Sequence, residues 1–381
     1  MSRHAWLLLG SRAVSALAGS MMMLALGVWA KQLTGSNTLA GLCTAAVTLP
    51  RLLGIVLGES LDRLPRRTAL LVADLGTIAA LVLLWLLQQG EQYWPLLLFG
   101  LAYGCLGVLA QTASPGALKA IATTDEMPRA VSTLQVINGS TLILGPVIGT
   151  TALSIWGPSW LIAITVVLLV VGVLQLSMLT VPRHDGASIP GRWAGLRLLW
   201  SDAQLRTALV TLIMAYGVIG LVDGSLYALI DALQRPPEFA GMVLAAQGVG
   251  MILGALLAPR VITRFGSLRS LVLGLLVAGL TVIGIVLSVA VVVVALGFVA
   301  VAGLSLGVVV TALGVLIQER VDQAVMGRAQ AALQSAQTAP ALGAMILGAL
   351  LVAHVDFRFL YLGAAAGLIA VGVWGLRRST A

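Results

Sequence analysis

The sequence predicts an all-α integral membrane protein whose twelve transmembrane helices form two pseudo-symmetric six-helix bundles. Three observations predict this class: the composition, the number of long apolar runs and the distribution of basic residues. Of the 381 residues, 59% are hydrophobic and 9% are charged, whereas soluble domains are about 45–50% apolar and about 25% charged. The mean hydropathy of +1.04 leaves more apolar surface than one soluble core can bury. This composition excludes a water-soluble enzyme, a secreted disulfide scaffold and a disordered chain.

Twelve apolar runs are long enough to cross a bilayer, which requires about 20 residues per helix. The predicted spans are 6–31, 38–61, 68–88, 94–119, 128–155, 159–181, 205–233, 239–262, 268–288, 290–317, 327–353 and 358–376. The longest connection lies between spans six and seven. We therefore expect a first bundle over 1–181, a cytoplasmic linker over 182–204 and a second bundle over 205–381.

The basic residues predict the orientation of these spans. With both termini in the cytoplasm, seventeen of the 22 Lys and Arg fall at cytoplasmic ends or loops, three fall outside, and Arg12 and Arg51 remain within spans. Cytoplasmic loops of membrane proteins collect Lys and Arg. The bias therefore predicts two cytoplasmic termini. It also accounts for the net charge of +8, so no nucleic-acid partner is expected.

The two halves carry a faint internal repeat at an offset of 199 residues. The segment 129–135 opens span five and 328–334 opens span eleven, and the Arg, Ala, Leu and Gln of the two segments match. At the same offset, Gly149 falls on Gly348. Duplicated halves of transporters place a substrate site at the repeat interface, near the middle of the membrane.

Two motifs carry a family resemblance. The loop between spans two and three reads Gly58-Glu-Ser-Leu-Asp62-Arg63-Leu-Pro65-Arg66-Arg67. It resembles the signature loop of the major facilitator superfamily, Gly-x-x-x-Asp-Arg-x-Gly-Arg-Arg, with Pro65 in place of the last glycine. In span five, Gly145-Pro146-Val-Ile-Gly149 resembles the Gly-Pro-x-x-Gly part of the antiporter motif of that superfamily.

Further runs in the first half are most similar to the enterobactin-exporter and macrolide-efflux branch of the superfamily. They extend from Leu9-Gly-Ser-Arg12 to Ala73-Asp74-Leu75. The resemblance implies an exporter that works by alternating access. Span four lacks the arginine that many drug–proton antiporters of the superfamily carry, which argues against proton coupling by the usual span-four route.

The resemblance also implies a conformational latch at the cytoplasmic side. Asp62 would lie against the N-terminus of span eleven, near 327–328, where exposed N–H groups and the helix dipole favour an anion. The alternative for the arginines is that they only anchor the loop in the cytoplasm. The latch residues are Gly58, Asp62, Arg63, Arg66 and Arg67.

Few ionisable residues lie within the spans, and such residues are functional by default because burial of a charge in a bilayer is costly. Arg51 falls near the middle of span two, and Asp223 falls near the middle of span seven. Their pairing would join the two halves, and a carboxylate that loses its cation binds a proton more readily. We therefore expect a gate or proton-coupling pair, with a static ion pair as the alternative. Arg12 and Asp74 lie at equal depth, so a second pair is expected there, with a structural role and, as the alternative, a role in gating or proton coupling.

Three uncharged polar residues fall near the middle of their spans: Asn138, Gln247 and Gln337. They are candidates for contact with a substrate, and the alternative is hydrogen bonding between helices. No His, Cys and carboxylate residues have the spacing of a metal site, and no Gly-x-x-x-x-Gly-Lys loop is present. The sequence therefore predicts no enzyme, no metal, no cofactor and no direct use of ATP.

The function expected from these features is proton-coupled export of bulky amphipathic or apolar small molecules, such as drugs or siderophores. One alternative is a lipid or lysolipid translocator of the same fold. Another is a transport-inactive scaffold or sensor, because Trp193, Leu196 and Trp200 share one face of a predicted surface helix in the linker. We expect a monomer in the bacterial inner membrane that interacts with protons, lipid and a small-molecule substrate.

The latch generates the first testable prediction. Asp62→Asn removes the anion at the helix terminus with almost no change of shape, so the variant is expected to insert normally and to transport poorly. Transport rate normalised to the amount of protein in the membrane measures this. A rate equal to that of the unsubstituted protein would contradict the latch.

Overall fold

The computed structural model describes residues 3–52, 65–87, 92–121, 126–179, 194–321 and 326–379. In this part of the chain the secondary structure is helical, with no strand. Contacts between residues divide the chain into two compact units, 1–189 and 190–381. The predicted limits of the two bundles and of the linker remain a prediction.

The described residues of the first unit form five helices: α1 (Arg3–Thr34), α2 (Asn37–Thr48), α3 (Arg66–Leu87), α4 (Trp94–Ile121) and α5 (Met127–Ser177). With 51 residues, α5 would be about 77 Å long if straight, far more than the ~30 Å of a bilayer core. It turns at Gly157, whose φ of 78° suits glycine, and Pro158 follows. The two segments, 127–156 and 158–177, correspond to predicted spans five and six.

In the second unit, the part of the chain that the structure describes forms eight α-helices: α6 (Ala194–Ser201), α7 (Ala203–Gly224), α8 (Leu226–Ala232), α9 (Ala240–Phe265), α10 (Ser267–Leu287), α11 (Val292–Arg320), α12 (Met326–Leu351) and α13 (Phe357–Ser379). A 3₁₀ turn over Pro237–Phe239 precedes α9. Within the described ranges, nine helices are long and apolar enough to cross a membrane, α5 among them. In α12, the apolar part is the shorter segment Ala336–Leu351. Most of these helices follow the predicted spans closely. Span seven differs, as described below, and in span two the helix α2 ends at Thr48, while residues 53–61 of that predicted span lie outside the described residues.

Local chemistry explains where several helices begin. The carboxylate of Asp202 accepts hydrogen bonds from the backbone N–H groups of Gln204 (2.8 Å) and Leu205 (2.9 Å), so α7 starts with its first donors satisfied. The same carboxylate accepts a hydrogen bond from Arg320, the last residue of α11, at 3.3 Å. Between α9 and α10 the chain turns at Gly266, with a φ of 81°.

The predicted surface helix is present as α6. Leu199 is buried in the core of the second unit, whereas Arg197 and Trp200 are exposed. The helix packs against α12 and α7. The face that attaches α6 to the protein therefore includes Leu199, which follows Leu196 of the predicted face by three positions and so lies beside it. Trp193 of the predicted face lies outside the described residues.

Small residues allow helix backbones to approach closely, which is the main way that helices associate within lipid. The crossing of α1 and α5 depends on the antiporter-motif residues. A Cβ atom on Gly145 would overlap Ser20, and one on Gly149 would overlap the backbone of Met21. Pro146 is buried beside them. In this unit, Gly145, Pro146 and Gly149 form a close helix crossing.

The same crossings recur in the second unit, as the internal repeat predicts. Gly149 lies against the backbone of Met21, and Gly348, 199 positions later, lies against the backbone of Leu221. The second unit thus crosses α7 with α12 as the first crosses α1 with α5.

A second pair of crossings follows the same offset. Gly104 of α4 approaches the carbonyl of Val47 in α2, and Gly303 of α11 approaches the carbonyl of Gln247 in α9. Two helix crossings of the first half therefore have counterparts in the second half, in addition to the few identical residues of the repeat. Helices α1 and α7 occupy equivalent positions, as do α2 and α9.

This crossing generates a stability prediction. Gly149→Ala places a methyl group against the α1 backbone, so we expect a loss of about 1–3 kcal/mol of unfolding free energy, as for other overpacked cores. Thermal or denaturant unfolding in detergent measures it. The matched control is Gly139→Ala in the same helix, where a Cβ meets nothing within 4 Å; alanine there should be neutral or stabilising. Equal effects of the two substitutions would contradict the close crossing.

Candidate functional site

Predicted span seven is broken, and the break lies beside its acidic residue. Helix α7 ends at Gly224, and a new short helix, α8, begins at Leu226. Ser225 between them has φ −108° and ψ 14°, and its hydroxyl donates to the carbonyl of Leu221 at 2.7 Å. The sequence predicts one continuous span over 205–233, and this prediction is wrong. The break is relevant because discontinuous helices form the binding sites of many transporters.

A cavity opens beside this break, entirely within the second unit. Sixteen residues line it: Ile219, Val222, Asp223, Leu226, Leu229, Val243, Leu244, Gln247, Ala278, Val282, Ile285, Val299, Ala302, Leu306, Tyr361 and Leu368. Thirteen of them are apolar, and the three polar residues are Asp223, Gln247 and Tyr361. The cavity volume is about 90 Å³, and a water needs about 10–15 Å³ on this measure. It therefore has room for several waters or for a small arm of a larger molecule.

Asp223 is the single charged residue among the described residues of this lining, and it is exposed to solvent-accessible space and not buried in the protein core. It belongs to the last turn of α7. The carboxylate favours a positive charge in the cavity. Among the described residues, no Lys, Arg or His contributes to the lining to supply that charge.

Tyr361 of α13 is the polar group that the sequence analysis missed. Its side chain is 1% exposed, and its hydroxyl has no hydrogen-bond partner among the described residues. A buried tyrosine hydroxyl usually has such a partner. The signal available in the sequence is a lone tyrosine inside the apolar run of span twelve.

The three sequence candidates for substrate contact separate in the structure. Gln247 of α9 lines the cavity together with Asp223. Gln337 of α12 does not line it, although its Nε2 is buried and has no partner within the described ranges. Asn138 is an exposed residue of the first unit. Of the three, the structure brings Gln247 alone to the acidic residue.

In the first unit, Arg12 and Asp74 form the ion pair that their depths in the sequence predict. The guanidinium of Arg12 in α1 donates to the carboxylate of Asp74 in α3 at 2.6 Å, and both side chains are buried. Ser15, one turn further along α1, donates to the same carboxylate oxygen at 3.0 Å. The Nε of Arg12 has no partner among the described residues. This arrangement joins two helices and neutralises both charges.

Arg51 follows the end of α2 and is exposed. It forms no ion pair with any residue that the structure describes. The predicted pair with Asp223 would join the two units and remains a proposal.

The signature loop lies largely outside the described residues. Gly58, Asp62 and Arg63 fall there, so the predicted latch has no structural description. Arg67 is described: its guanidinium donates to the carbonyls of Leu176 (3.3 Å) and Ser177 (2.6 Å), the last residues of α5. A cation at a helix C-terminus is favourable, so Arg67 joins α3 to α5 whatever else the loop does. Arg66 is half-buried at the start of α3.

Two duplicated six-helix halves, with a broken helix and an ionisable group beside a cavity, are the architecture of a membrane transporter. The profile of the Major Facilitator Superfamily matches residues 8–344. The chain therefore belongs to this superfamily. One relative is an uncharacterized MFS-type transporter, YfiS, of Bacillus subtilis (strain 168). The two sequences are 27% identical, and the match covers 96% of this chain and 91% of that protein.

Solved structures support the same fold. A bacterial homologue of the iron transporter ferroportin, in its inward-facing state, has a TM-score of 0.75 and 18% identity, and the match covers both chains completely. The nucleoside transporter NupG has a TM-score of 0.77 and 11% identity, also over both whole chains. A D-xylose–proton symporter has a TM-score of 0.76 and 16% identity, over 97% of this chain and 96% of that one. At these identities the likeness is one of fold, and the substrates belong to those proteins.

The buried ion pair generates a prediction. Asp74→Asn leaves the buried charge of Arg12 without its partner, so we expect a loss of about 3–5 kcal/mol of unfolding free energy. Adding Arg12→Gln removes the orphaned charge and should restore part of that loss. Unfolding curves in detergent for both single variants and the double variant measure the coupling.

The control is the exposed pair between Asp202 and Arg320. Arg320→Gln should change stability little, because exposed ion pairs contribute little. If Asp74→Asn is as mild as Arg320→Gln, or if the double variant loses the sum of both single effects, the pair does not stabilise the first unit.

Proposed function

We propose that this transporter is a proton-coupled exporter of bulky, mostly apolar small molecules and that it works by alternating access in the bacterial inner membrane. The observation that carries the proposal is Asp223: one carboxylate, in an apolar cavity, at the end of a broken helix. The direction of transport rests on the resemblance of the first half to the enterobactin-exporter and macrolide-efflux branch. The apolar majority of the cavity lining supports a mostly apolar substrate.

The physical basis of coupling is the cost of a carboxylate without a counter-charge in an apolar surrounding. That cost falls when the carboxylate gains a proton or faces a cation. Asp223 can therefore be neutralised either by a proton or by a nearby cation. Which of the two neutralises it can change as the cavity opens to one side of the membrane or to the other. In this proposal Asp223 carries the proton, and Arg51 faces it in one of the two states.

The other candidate residues predicted from the sequence have supporting roles in the proposal. Arg12 and Asp74 keep α1 and α3 together, which their buried ion pair supports. Gly145, Pro146 and Gly149 hold α5 against α1, so that the first unit moves as one body. Gly58, Asp62, Arg63, Arg66 and Arg67 form the cytoplasmic latch with span eleven, and both termini lie in the cytoplasm.

The test uses purified protein in proteoliposomes with ethidium as a bulky, mostly apolar probe. An amide cannot release a proton, so Asp223→Asn should abolish uphill, gradient-driven transport and leave downhill exchange measurable. The matched control is Asp356→Asn, an exposed carboxylate of the same unit whose cap on the Arg358 N–H an asparagine can retain. The control should transport as the unsubstituted protein does.

A second variant tests the partner. If Arg51 faces Asp223, adding Arg51→Gln to Asp223→Asn should restore stability or expression, because it removes a cation without a counter-ion. Full gradient-driven transport by Asp223→Asn would overturn the proposed coupling. Transport that depends on a lipid headgroup would favour a lipid translocator, and unchanged ethidium accumulation in cells that lack the protein would favour a scaffold.

A further inference from the structure

The cavity of the second unit contains polar groups with no partner, which indicates what it can bind. The hydroxyl of Tyr361 is almost fully buried, lines the cavity and has no hydrogen-bond partner among the described residues. A buried polar group without a partner is destabilising by about 1–3 kcal/mol. Such a group is expected where a ligand or a water supplies the missing bond. The hydroxyl of Tyr361 therefore indicates a ligand in the cavity, and this indication is independent of the acidic residue.

The charges around the cavity select the sign of that ligand. Asp223 is acidic, and the described residues of the lining include no basic side chain. An anionic ligand would be repelled by this carboxylate. A neutral hydrocarbon would satisfy the apolar lining but would leave both the carboxylate and the tyrosine hydroxyl without a bond.

The hydrogen-bonding chemistry of an ammonium group matches that of all three polar residues. It has three N–H donors and no acceptor. The carboxylate of Asp223, the hydroxyl oxygen of Tyr361 and the amide oxygen of Gln247 are three acceptors on α7, α13 and α9. The thirteen apolar residues of the lining then suit the hydrocarbon part of the same molecule.

We propose that this cavity binds a protonated amine attached to an apolar or aromatic skeleton, with the ammonium group between Asp223, Tyr361 and Gln247. This inference rests on the proposed function, because it names the substrate class of the same site. It adds two assignments: the chemical class of the substrate, and a binding role for Tyr361.

The experiment compares two probes of almost equal shape. 4-Phenylbutylamine is protonated at neutral pH, and 4-phenylbutanol is its uncharged counterpart. Equilibrium binding of each tritiated probe is measured on the purified full-length protein in detergent, against empty micelles. Because a hydrogen bond to a charged group is stronger than one to a neutral group, the amine should bind at least about tenfold more tightly than the alcohol.

Variants then assign the selectivity to the cavity. Asp223→Asn should remove the preference for the amine and change alcohol binding little. Tyr361→Phe should weaken amine binding several-fold while it leaves part of the preference. Ala302→Leu should weaken both probes, because its side chain fills the apolar part of the cavity. Asp356→Asn, with its exposed carboxylate outside the cavity, should bind both probes as the unsubstituted protein does.

Equal binding of amine and alcohol, or an unchanged preference in Asp223→Asn, would overturn the inference. If Asp223→Asn does not fold, as judged by its elution and melting curve, Tyr361→Phe and Ala302→Leu decide: unaltered amine binding in both would overturn it. The assay needs no gradient and no transport. Loss of amine selectivity with intact ethidium export therefore refutes the inference alone, whereas amine selectivity without uphill export refutes the proposed function.

Discussion

The structure depends on one constraint: the interior of a bilayer offers no water to hydrogen-bond the backbone or to solvate a charge. The backbone answers by forming helices, and the helices associate through close approaches at small residues. Gly149 against Met21 and Gly348 against Leu221 are two such approaches, at equivalent places of the two units. The same constraint makes every ionisable side chain inside the membrane energetically costly unless it is paired or neutralised. Arg12 and Asp74 satisfy it by pairing with each other, whereas Asp223 faces a cavity without a basic residue in its lining.

The repeat sets Asp223 of the second unit apart from its counterpart in the first unit. Because Leu221 occupies the place of Met21, the equivalent of Asp223 in the first unit is Met23, an apolar residue in an uninterrupted helix. Helix α7 departs from α1 in two ways at once, since it carries the carboxylate and breaks two residues later. The duplicated crossings hold both units in the same form. The second unit therefore departs from the duplication at the place where the proposed function needs a carboxylate.

The sequence could predict much of the fold and less of the site. Span lengths follow from the bilayer thickness. The positions of charged residues, Pro and Gly between the apolar runs therefore predict the bounds of most helices, and they also predict the turn at Gly157. The equal depths of Arg12 and Asp74 predicted their ion pair. The break at Ser225 was not accessible, because serine is common within helices and the run around it is apolar. Tyr361 was missed because its importance comes from burial without a partner, which only the packing of α13 against its neighbours reveals.

The central claim is that substrate moves outward in exchange for protons. The most direct measurement uses inside-out membrane vesicles that contain the protein, with ethidium outside and a pH gradient, acid inside. The account predicts that ethidium accumulates in the vesicles, that its entry is accompanied by proton exit, and that accumulation disappears when the pH gradient is collapsed at constant membrane potential. Accumulation that survives the collapse, or that equals the level in vesicles without the protein, would contradict it.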